Sequence, residues 1–548
     1  MEEKTMKRIL CCLLCLLLVC AAVPSAIAGM ADEPHASSNT LILPVNEKMP
    51  LTDELLEVSV LFPRSNGHPD DLNNNWYVNH LADKTGIRLN IIPVEESGWT
   101  EKKNLVLASG DYSEIFMGGL TWDDALIYGE QGIFQPLEDL IDQYAPNVKK
   151  LLELYPEAAK TITMNGHIYV LPTWSTPARE VINNDNRKTI NTTWLANVGL
   201  ESPHTLDELY AVLKAFKEQD ANGNGDAGDE IPYCNRYDSD GFEWILSAFG
   251  FVNLRHDVLD GKYVYVPAQE NYRHYLEYMH KLYAEGLLDP DYFTMTAEEL
   301  QAKVAAGVVG SGITYATDYT TDLELKLQYS NVSPLTSEYN TTLCWPKYSV
   351  ERTDAMLAIT DKCEHPELVM QLLDYWYSEE GSFEVKGGPK LGEIPGDPDE
   401  GYEKLIAEDG TVTYKQNFDR EKYPSFFAFR KGNGLWVVPH VYTDELNELV
   451  IGADPDRARS HQESIDSGCY GALRLGYPNA AFDTQETDAL AVYVMIDSYA
   501  EQMTAKFVTG EEEINDANWN AYLTMLDGMG LQDRNAIYQT ALDRWNGK

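Results

Sequence analysis

Three short apolar runs separated by two helical segments constrain the fold of this chain more than any other feature. The runs cover residues 56–62, 87–94 and 114–117, and helical patterns lie between them at 75–85 and 102–108. Connections this short between strands and helices are typical of parallel βαβ units. Right-handed crossovers place such helices on both faces of a sheet. The sequence therefore predicts an α/β fold that begins with a parallel sheet.

A second α/β region begins near Arg179 and contains a clearly marked helix. Thr205 and Glu208 have the spacing of a capping box, in which each side chain bonds the backbone beside the other. Apolar residues recur at helical spacing over 206–216, which predicts one buried helix face. The sequence thus indicates two successive α/β regions.

The first 28 residues have the pattern of a secretory signal. A basic start is followed by an apolar run at 9–23 and by Ala26 and Ala28, small residues at the expected cleavage positions. The run is short for a membrane span, which needs about 20 residues. We expect a soluble, secreted protein with a signal peptide at 1–28 and a flexible tether at 29–53.

The cysteines leave two questions open. Cys20 lies where a bacterial lipoprotein would carry its lipid, but Val19 is unusual before such a cysteine, so we expect free secretion and keep lipid anchoring as the alternative. No C-x-x-C pair occurs after the signal, so a zinc or thioredoxin-like motif is not indicated there. One or two disulfides remain open among the cysteines after the signal, which are Cys234, Cys344, Cys363 and Cys469.

The charge of the chain excludes one large class of partners. The 548 residues include 42 basic and 87 acidic side chains, which gives a net charge of −45. A chain this acidic is repelled by phosphate backbones, so we expect no nucleic-acid binding. The same charge disfavours anionic polysaccharides unless Lys and Arg side chains line the binding cleft.

Residues 220–230 form the most ordered polar pattern in the sequence. Short oxygen-bearing side chains stand at relative positions 1, 3, 5 and 7, and Gly225 at position 6 allows the sharp turn of an EF-hand-like loop. Position 12 is Ile231 rather than Glu, so another acid must close the site. The alternative is a solvated Asx/Gly turn. We predict a structural Ca²⁺ site with the ligands Asp220, Asn222, Asn224, Asp226, Asp229 and Glu230.

Aromatic residues in loops after predicted strands are candidates for sugar contacts, because aromatic faces stack on pyranose rings. The chain has 11 Trp, and α/β clefts form at the ends of strands. For each candidate, packing in the core or on the surface is the alternative. The predicted ligand-binding residues are Trp76, Trp122, Trp174, Arg179, Trp244 and Tyr315.

Catalytic signatures are missing from the sequence. It contains no H-E-x-x-H, G-x-S-x-G or Walker-type loop. A secreted glycoside hydrolase remains a second hypothesis, because the many carboxylates allow an acid/base pair. We predict a binding protein without enzymatic activity.

An ordered set of short strings resembles one family, the extracellular solute-binding proteins (family 1) of bacterial ABC importers. Its closest branch is similar to the LipO/LplA-like lipoproteins and the alginate-binding proteins. The strings run through almost the whole chain after the signal. They are TGI at 85–87, ASGD at 108–111, GIF at 132–134, PL at 136–137, WLANVGL at 194–200, TLDELYAVLKAFK at 205–217, the loop at 220–232, KLYAEGLLDP at 281–290, HPE at 365–367, LDY at 373–375 and GMGL at 528–531.

The resemblance implies a two-lobed periplasmic-binding-protein fold of type II, in which each lobe is a mostly parallel sheet flanked by helices and a hinge joins the lobes. The implied boundaries are 54–172 with 307–358 for lobe 1, and 173–306 with 359–548 for lobe 2. The implied function is capture of a carbohydrate, most simply an oligosaccharide, by a monomer that delivers it to permease subunits. A peptide ligand is the alternative. Calcium-containing members of this family bind the ion in the same loop, although Gly228 is an extra residue here.

Overall fold

The structure is a computed structural model, and it describes most of the chain after residue 42. The signal peptide, Cys20, Arg179 and Tyr315 lie outside the described residues. The described residues are 43–45, 48–65, 67–175, 188–237, 242–314, 319–320, 322–347, 351–410, 412–419, 421–423, 426–452, 459, 462–463, 466–478 and 482–547.

The described strands belong to two main sheets and several short ribbons. They are β1 (Leu56–Arg64), β2 (Ile87–Glu95), β3 (Ile115–Met117), β4 (Thr163–Met164), β5 (His167–Ile168), β6 (Leu171–Ser175), β7 (Lys188–Asn191), β8 (Ile231–Tyr233), β9 (His256–Leu259), β10 (Lys262–Tyr265), β11 (Val309–Thr314), β12 (Tyr329–Asn331), β13 (Trp345–Lys347), β14 (Glu351–Ile359), β15 (Gly401–Ile406), β16 (Val412–Asn417), β17 (Val441–Tyr442) and β18 (Leu473–Leu475).

The helices cover the faces of these sheets and form the C-terminal end of the chain. They are α1 (Trp76–Thr85), α2 (Trp99–Ser109), α3 (Trp122–Glu130), α4 (Glu138–Tyr144), α5 (Pro146–Leu154), α6 (Pro156–Ile162), α7 (Thr192–Val198), α8 (Leu206–Glu218), α9 (Glu270–Ala284), α10 (Ala297–Ala305), α11 (Leu323–Lys326), α12 (Pro366–Trp376), α13 (Glu379–Gly387), α14 (Phe426–Asn433), α15 (Asp444–Asn447), α16 (Thr484–Leu490), α17 (Val494–Thr509), α18 (Asp516–Gly528) and α19 (Leu531–Trp545).

The first sheet has the strand order β17-β6-β14-β3-β1-β2 and forms the centre of lobe 1. β1 runs parallel to both β2 and β3, as the βαβ pattern predicts. β14 is antiparallel to β3 and β6, because the chain enters β14 on its return from the other lobe. The parallel prediction therefore holds for the first three strands, and the returning strand makes the sheet mixed.

The second sheet has the order β12-β7-β11-β8 and forms the centre of lobe 2. β11 is parallel to β8, but β7 is antiparallel to both β11 and β12. Among the described strands, the first sheet has three parallel pairs out of five, whereas this second sheet has one parallel pair out of three and is not mostly parallel as predicted. Its large core takes in buried residues from α8, α9 and the C-terminal helices α17–α19.

Strand pairing divides the chain between the lobes differently from the predicted boundaries. We expected 307–358 in lobe 1, but β11 and β12 pair within the second sheet. We expected everything after 358 in lobe 2, but β17 pairs with β6 in the first sheet. The chain crosses between lobes three times, after β6, β13 and β17, and the sequence marks only the first crossing with a recognisable strand and turn.

The segment predicted as a flexible tether, 29–53, is packed at its C-terminal end. Leu43 and Leu51 are buried. The Leu51 N–H donates to the Thr85 carbonyl at 2.8 Å, and the Glu379 N–H donates to the Leu43 carbonyl at 3.1 Å. These two apolar side chains attach the segment to lobe 1, which its small, polar composition did not reveal.

Two further findings concern the predicted cysteine chemistry and membrane topology. Cys234, Cys344, Cys363 and Cys469 are all free and buried. Within the described parts of the chain, no helix combines the length and apolar character that a membrane span requires.

Candidate functional site

The first sheet has a topological switch point between β1 and β3. From β1 the chain moves to β2 on one side and then to β3 on the other. In open α/β sheets the loops that leave the carboxyl ends of such strands diverge and form a crevice, where ligands bind. A ligand site is therefore expected at the loops after β1 and β3.

The loop after β3 turns sharply into α3 through two glycines. Gly118 and Gly119 have φ angles of 82° and 66°, in the left-handed region that favours glycine. A Cβ on Gly118 would lie 2.7 Å from Val437 Cγ2 and 3.2 Å from Pro63 Cγ. This close approach brings the ends of β1 and β3 together with the loop before β17.

Trp122 is the first residue of α3 and is held in place by a capping box. The Thr121 hydroxyl accepts from the Asp124 N–H at 3.0 Å, and the Asp124 carboxylate accepts from the Thr121 N–H at 2.9 Å. Asp124 also forms a buried ion pair with Lys103. Trp122 Nε1 is buried and has no hydrogen-bond partner in the part of the chain that the structure describes. A fixed indole with an unused donor is suited to contact a ligand.

A cavity of about 330 Å³ lies between Trp122 and lobe 2. Ligand sites of small molecules begin at about this volume. Both lobes contribute to its wall. The lining residues are Trp122, Asp123, Leu126, Thr161 and Met164 from lobe 1, and Asn253, His256, Tyr477, Pro478, Phe482 and Tyr538 from lobe 2.

The lobe 2 wall is an aromatic cluster centred on Tyr538. Its ring stacks on His256 with centroids 4.7 Å apart and on Tyr263 at 4.6 Å. Tyr477 and Phe482 meet the same ring edge-on at 5.2 and 5.1 Å. Because each ring fixes its neighbours, this wall presents a rigid aromatic surface to the cavity.

The titratable groups of the cavity carry little positive charge at neutral pH. Burial, with the nearby Arg534, lowers the pKa of His256 to about 3, so its ring is neutral. Its Nδ1 lies 2.8 Å from the Tyr263 hydroxyl. Partial burial and the charge of Asp124 raise the pKa of Asp123. The cavity thus offers aromatic faces and neutral hydrogen-bonding groups, with one carboxyl at its edge.

The lobes also touch each other beside the cavity. The Glu130 carboxylate accepts from the Thr484 hydroxyl of α16 and from the side-chain amide of Asn165. Lys160 Nζ lies 5.7 Å from the centre of the Trp545 ring. The cavity is therefore a space between two lobes that are in contact.

Of the six predicted ligand-binding residues, the structure places Trp122 at this cavity. Trp76 is buried against His80, with ring centroids 4.8 Å apart. Trp174 lies inside the first sheet and Trp244 in the lobe 2 core, where its Nε1 donates to the Ser333 carbonyl at 2.8 Å. Fully buried rings have no face for a ligand, so Trp174 and Trp244 are core residues. Arg179 and Tyr315 lie outside the described residues.

None of the lobe 2 wall residues is among the predicted ligand-binding residues. Those were mostly tryptophans after strands, whereas the wall consists largely of His256, Tyr477, Phe482 and Tyr538. Tyr538 lies on α19, a helix whose pattern indicates only core packing. The chain has 33 tyrosines, so no single one stands out. The Gly476–Pro478 turn before Phe482 is the one local signal that could have drawn attention to this wall.

The predicted calcium loop lies between α8 and β8 and is curled around its own side chains. The Asp220 carboxylate accepts from the Gly225 N–H at 2.9 Å. The Asn222 and Asn224 amides donate to the two oxygens of Asp229 at 2.9 and 2.7 Å. The predicted ligands Asp220, Asn222, Asn224 and Asp229 are therefore brought together.

Two carboxylate oxygens of this loop are buried without a partner among the described residues. They are Asp220 Oδ1 and Glu230 Oε2. Burial raises the pKa of Glu230. Asp226 differs from the other predicted ligands, because its carboxylate accepts a hydrogen bond from the Gly228 N–H at 3.1 Å. Clusters of three or more His, Cys, Asp or Glu arranged for a metal do not occur in the described residues, so a cation here would depend on amide oxygens as well.

Comparisons with known proteins agree with this architecture. A Streptococcus pneumoniae protein, the fructooligosaccharide ABC transporter substrate-binding protein FusA, is 33% identical over 304 residues, which are 54% of each chain. The chain spans about half the length of the curated relatives it matches.

Two solved structures show the fold over most of the chain. A FusA EF-hand mutant with fructo-nystose has a TM-score of 0.72 at 23% identity and covers 90% of this chain and 99% of its own. The alginate-binding protein AlgQ2 without calcium ion has a TM-score of 0.68 at 22% identity, again covering 90% and 99%. These neighbours are two-lobed, as the two sheets here require.

The sequence profile described as "Bacterial extracellular solute-binding protein" matches residues 77–382. This stretch includes four described strands of the first sheet (β2, β3, β6 and β14), all four described strands of the second sheet and two of the three crossings between lobes. The chain belongs to the bacterial extracellular solute-binding protein family.

Proposed function

We propose that this protein captures an oligosaccharide between its lobes and delivers it to the permease of an ABC importer. The observation that carries the proposal is the cavity between Trp122 and the Tyr538 cluster, which both lobes line with aromatic rings. Sugar rings have apolar faces and polar edges, and such a wall contacts both. The names of the relatives, which include fructooligosaccharide and alginate ligands, support a carbohydrate.

The proposed mechanism is closure of the lobes around the ligand. A ligand that contacts both walls binds the closed state better than the open one and therefore shifts the population toward closure. The contacts Glu130–Thr484 and Lys160–Trp545 then form part of the closed interface. A permease that recognises surfaces of both lobes receives only loaded protein, which makes transport selective.

The experiment that tests this function is a ligand screen with product analysis. The secreted chain, from residue 29 onward, is mixed with neutral and acidic oligosaccharides and with short peptides, and its melting temperature is measured. We expect stoichiometric stabilisation by an oligosaccharide and no change in that oligosaccharide on chromatography. Stabilisation by peptides alone would replace the carbohydrate with a peptide, and cleavage products would establish a glycoside hydrolase instead.

We also propose that the 220–230 loop holds a structural Ca²⁺. The unpartnered oxygens of Asp220 and Glu230 support the proposal, since Ca²⁺ prefers hard oxygen ligands and buried carboxylate oxygens need a partner. The ion would be bound by Asp220, Asn222, Asn224, Asp226, Asp229 and Glu230. It would neutralise their charge and fix the loop between α8 and β8. The solved FusA neighbour is an EF-hand mutant, and a loop of that kind in a protein of the same fold further supports the proposal.

A further inference from the structure

Two cationic side chains, Lys386 and Arg430, lie against Trp436 in lobe 1, and a third, Lys431, is the next residue after Arg430. Lys386 Nζ lies 3.4 Å from the centre of the Trp436 ring, and the Arg430 guanidinium carbon lies 5.3 Å from it. Lys431 follows Arg430 on α14. All three are buried, with exposures of 1%, 4% and 8%. In a chain with a net charge of −45, a buried group of three cations is unexpected.

The group lies at the switch point of the first sheet. Residues 434–440 pass the carboxyl ends of β1 and β3, where a Cβ on Gly118 would lie 2.7 Å from Val437 Cγ2 and 3.2 Å from Pro63 Cγ. His68, in the loop after β1, has its Nε2 3.3 Å from the Leu435 carbonyl. Since ligands bind at the carboxyl ends of strands beside a switch point, this group lies where lobe 1 meets its ligand.

Trp436 is held in an unfavourable conformation there. Its φ of 58° is in the left-handed region, which bulky residues rarely occupy. Phe427 packs edge-on against its ring at 4.4 Å, and Lys386 Nζ donates to its carbonyl at 3.2 Å. Strained residues that neighbours hold in place are concentrated at ligand sites.

Lys431 has a charge with no acceptor. Its methylene chain passes Gly67, where a Cβ would lie 3.3 Å from Lys431 Cδ, and its Nζ lies 5.7 Å from the centre of the Phe427 ring. Glu96 is the acid whose field acts on it. Within the residues that the structure describes, its ammonium has no hydrogen bond or ion pair. The side chain of Lys431 is largely buried, but its ammonium is not enclosed, so an anionic group of a ligand can reach it and supply the missing partner.

We propose that Lys431, flanked by Lys386 and Arg430, is a subsite for an anionic substituent of the sugar, so that the ligand is an acidic oligosaccharide. The substituent is the carboxylate of a uronic acid or a sulfate ester, because both present oxygens that an ammonium binds by charge-assisted hydrogen bonds. Trp436 contacts the ring that carries it. This inference rests on the proposed function and specifies its substrate class. The overall charge of −45 does not oppose it, since exposed charges beyond about 10 Å are screened at physiological salt.

The experiment compares matched ligands and matched variants by isothermal titration calorimetry. The probes are trisaccharides of galacturonate, glucuronate and mannuronate with their methyl esters, and a sulfated disaccharide with its desulfated form. Each ester or desulfated sugar keeps the shape of its partner but loses the charge. The variants are Lys431→Met, which keeps the aliphatic chain, Lys431→Arg, which keeps the charge, and Lys415→Met, which removes an exposed lysine from β16 as the control.

We expect the unmodified protein to bind one acidic probe about tenfold or more tightly than its neutral partner, as a charge-assisted contact provides. Lys431→Met should remove this preference and its salt dependence, whereas Lys431→Arg and Lys415→Met should keep both. The ligand-free Lys431→Met protein should melt at or above the temperature of the unmodified protein, because Met keeps the packed aliphatic chain and no ion pair of Lys431 is lost. If a uronate trisaccharide binds more tightly than its methyl ester, the anionic substituent is a carboxylate. If the sulfated disaccharide binds more tightly than its desulfated form, the substituent is a sulfate ester.

Two results would overturn the inference alone: equal binding of acidic and neutral partners, or an undiminished preference in Lys431→Met. The proposed function would survive both, since a neutral oligosaccharide would still bind. If no oligosaccharide of either kind binds, the proposed function fails and the inference fails with it.

Discussion

Removing the charge of Glu230 tests the calcium loop most directly. Glu230 Oε2 and Asp220 Oδ1 are buried without partners among the described residues, and without an ion each such group costs about 1–3 kcal/mol of stability. Glu230→Gln keeps the acceptor oxygen that the Ala221 N–H uses at 2.9 Å. It removes the negative charge that the ion needs. The substitution therefore separates the hydrogen bond from the metal.

The size of the effect follows from mass action. Calcium at 100 times its dissociation constant adds about 2.7 kcal/mol to the free energy of unfolding. For a lobe of roughly 250 residues this corresponds to a rise of roughly 5 °C in melting temperature. We expect this rise in the unmodified protein and no calcium-dependent rise in Glu230→Gln. The chelated Glu230→Gln protein should be at least as stable as the chelated parent, because burial already disfavours the charged form of Glu230.

Differential scanning calorimetry in Ca²⁺ and in chelator measures both quantities. Glu201→Gln, which neutralises an exposed acid of the same lobe, is the matched control and should keep the full response. The reasoning is refuted if chelator leaves the melting temperature of the unmodified protein unchanged. It is also refuted if Glu230→Gln responds to Ca²⁺ as fully as Glu201→Gln does.

Three further predictions concern the cavity and its support. Trp122→Ala should weaken oligosaccharide binding about tenfold in calorimetric titration, because it removes an aromatic face from the cavity. Trp244→Ala should instead lower the unfolding free energy in urea by about 3–5 kcal/mol, because it leaves a cavity in the core. The folded pKa of His256 is about 3 and lies below its unfolded value near 6.5, so the unfolded chain binds the proton first. The stability that the neutral ring contributes should be complete above pH 6.5 and be lost as the pH falls toward 3, and His256→Phe should flatten this slope in urea titrations. Arg474→Met should lower the unfolding free energy by about 3 kcal/mol, because it leaves the fully buried Asp257 without its two 2.7 Å ion-pair contacts; equal stability in urea would contradict this.

The local elements could be predicted from the sequence because their signals are local. Thr205 and Glu208 form the predicted capping box, and the helix after Thr205 has the predicted buried face. Gly86 ends α1 with a φ of 76°, as the Thr-Gly pair indicates. Each of these features depends on residues within one helical turn, so neighbouring sequence is sufficient to determine them.

The cavity could not be predicted because it depends on contacts between residues far apart in the chain. Trp122 and Tyr538 are separated by more than 400 positions and meet only after the chain has crossed between the lobes three times. Choosing tryptophans in predicted loops identified Trp122 on the lobe 1 wall of the cavity. The same choice was wrong for Trp174 and Trp244, because both are buried in the core. The cations around Trp436 share this difficulty. Arg430 and Lys431 look like the basic end of a surface helix in the sequence, but Trp436 packs against Arg430 and the loop at Gly67 packs against Lys431.

The three crossings between lobes have a consequence for how the protein is made. The first sheet holds β14 between β3 and β6, and its edge strand β17 ends at Tyr442. Lobe 1 therefore cannot complete its sheet until about four-fifths of the chain has been synthesised. Lobe 2 must wait longer, because α17–α19 supply part of its core. This arrangement delays folding of the first lobe during export. Its sheet cannot become complete while the later part of the chain is still being exported.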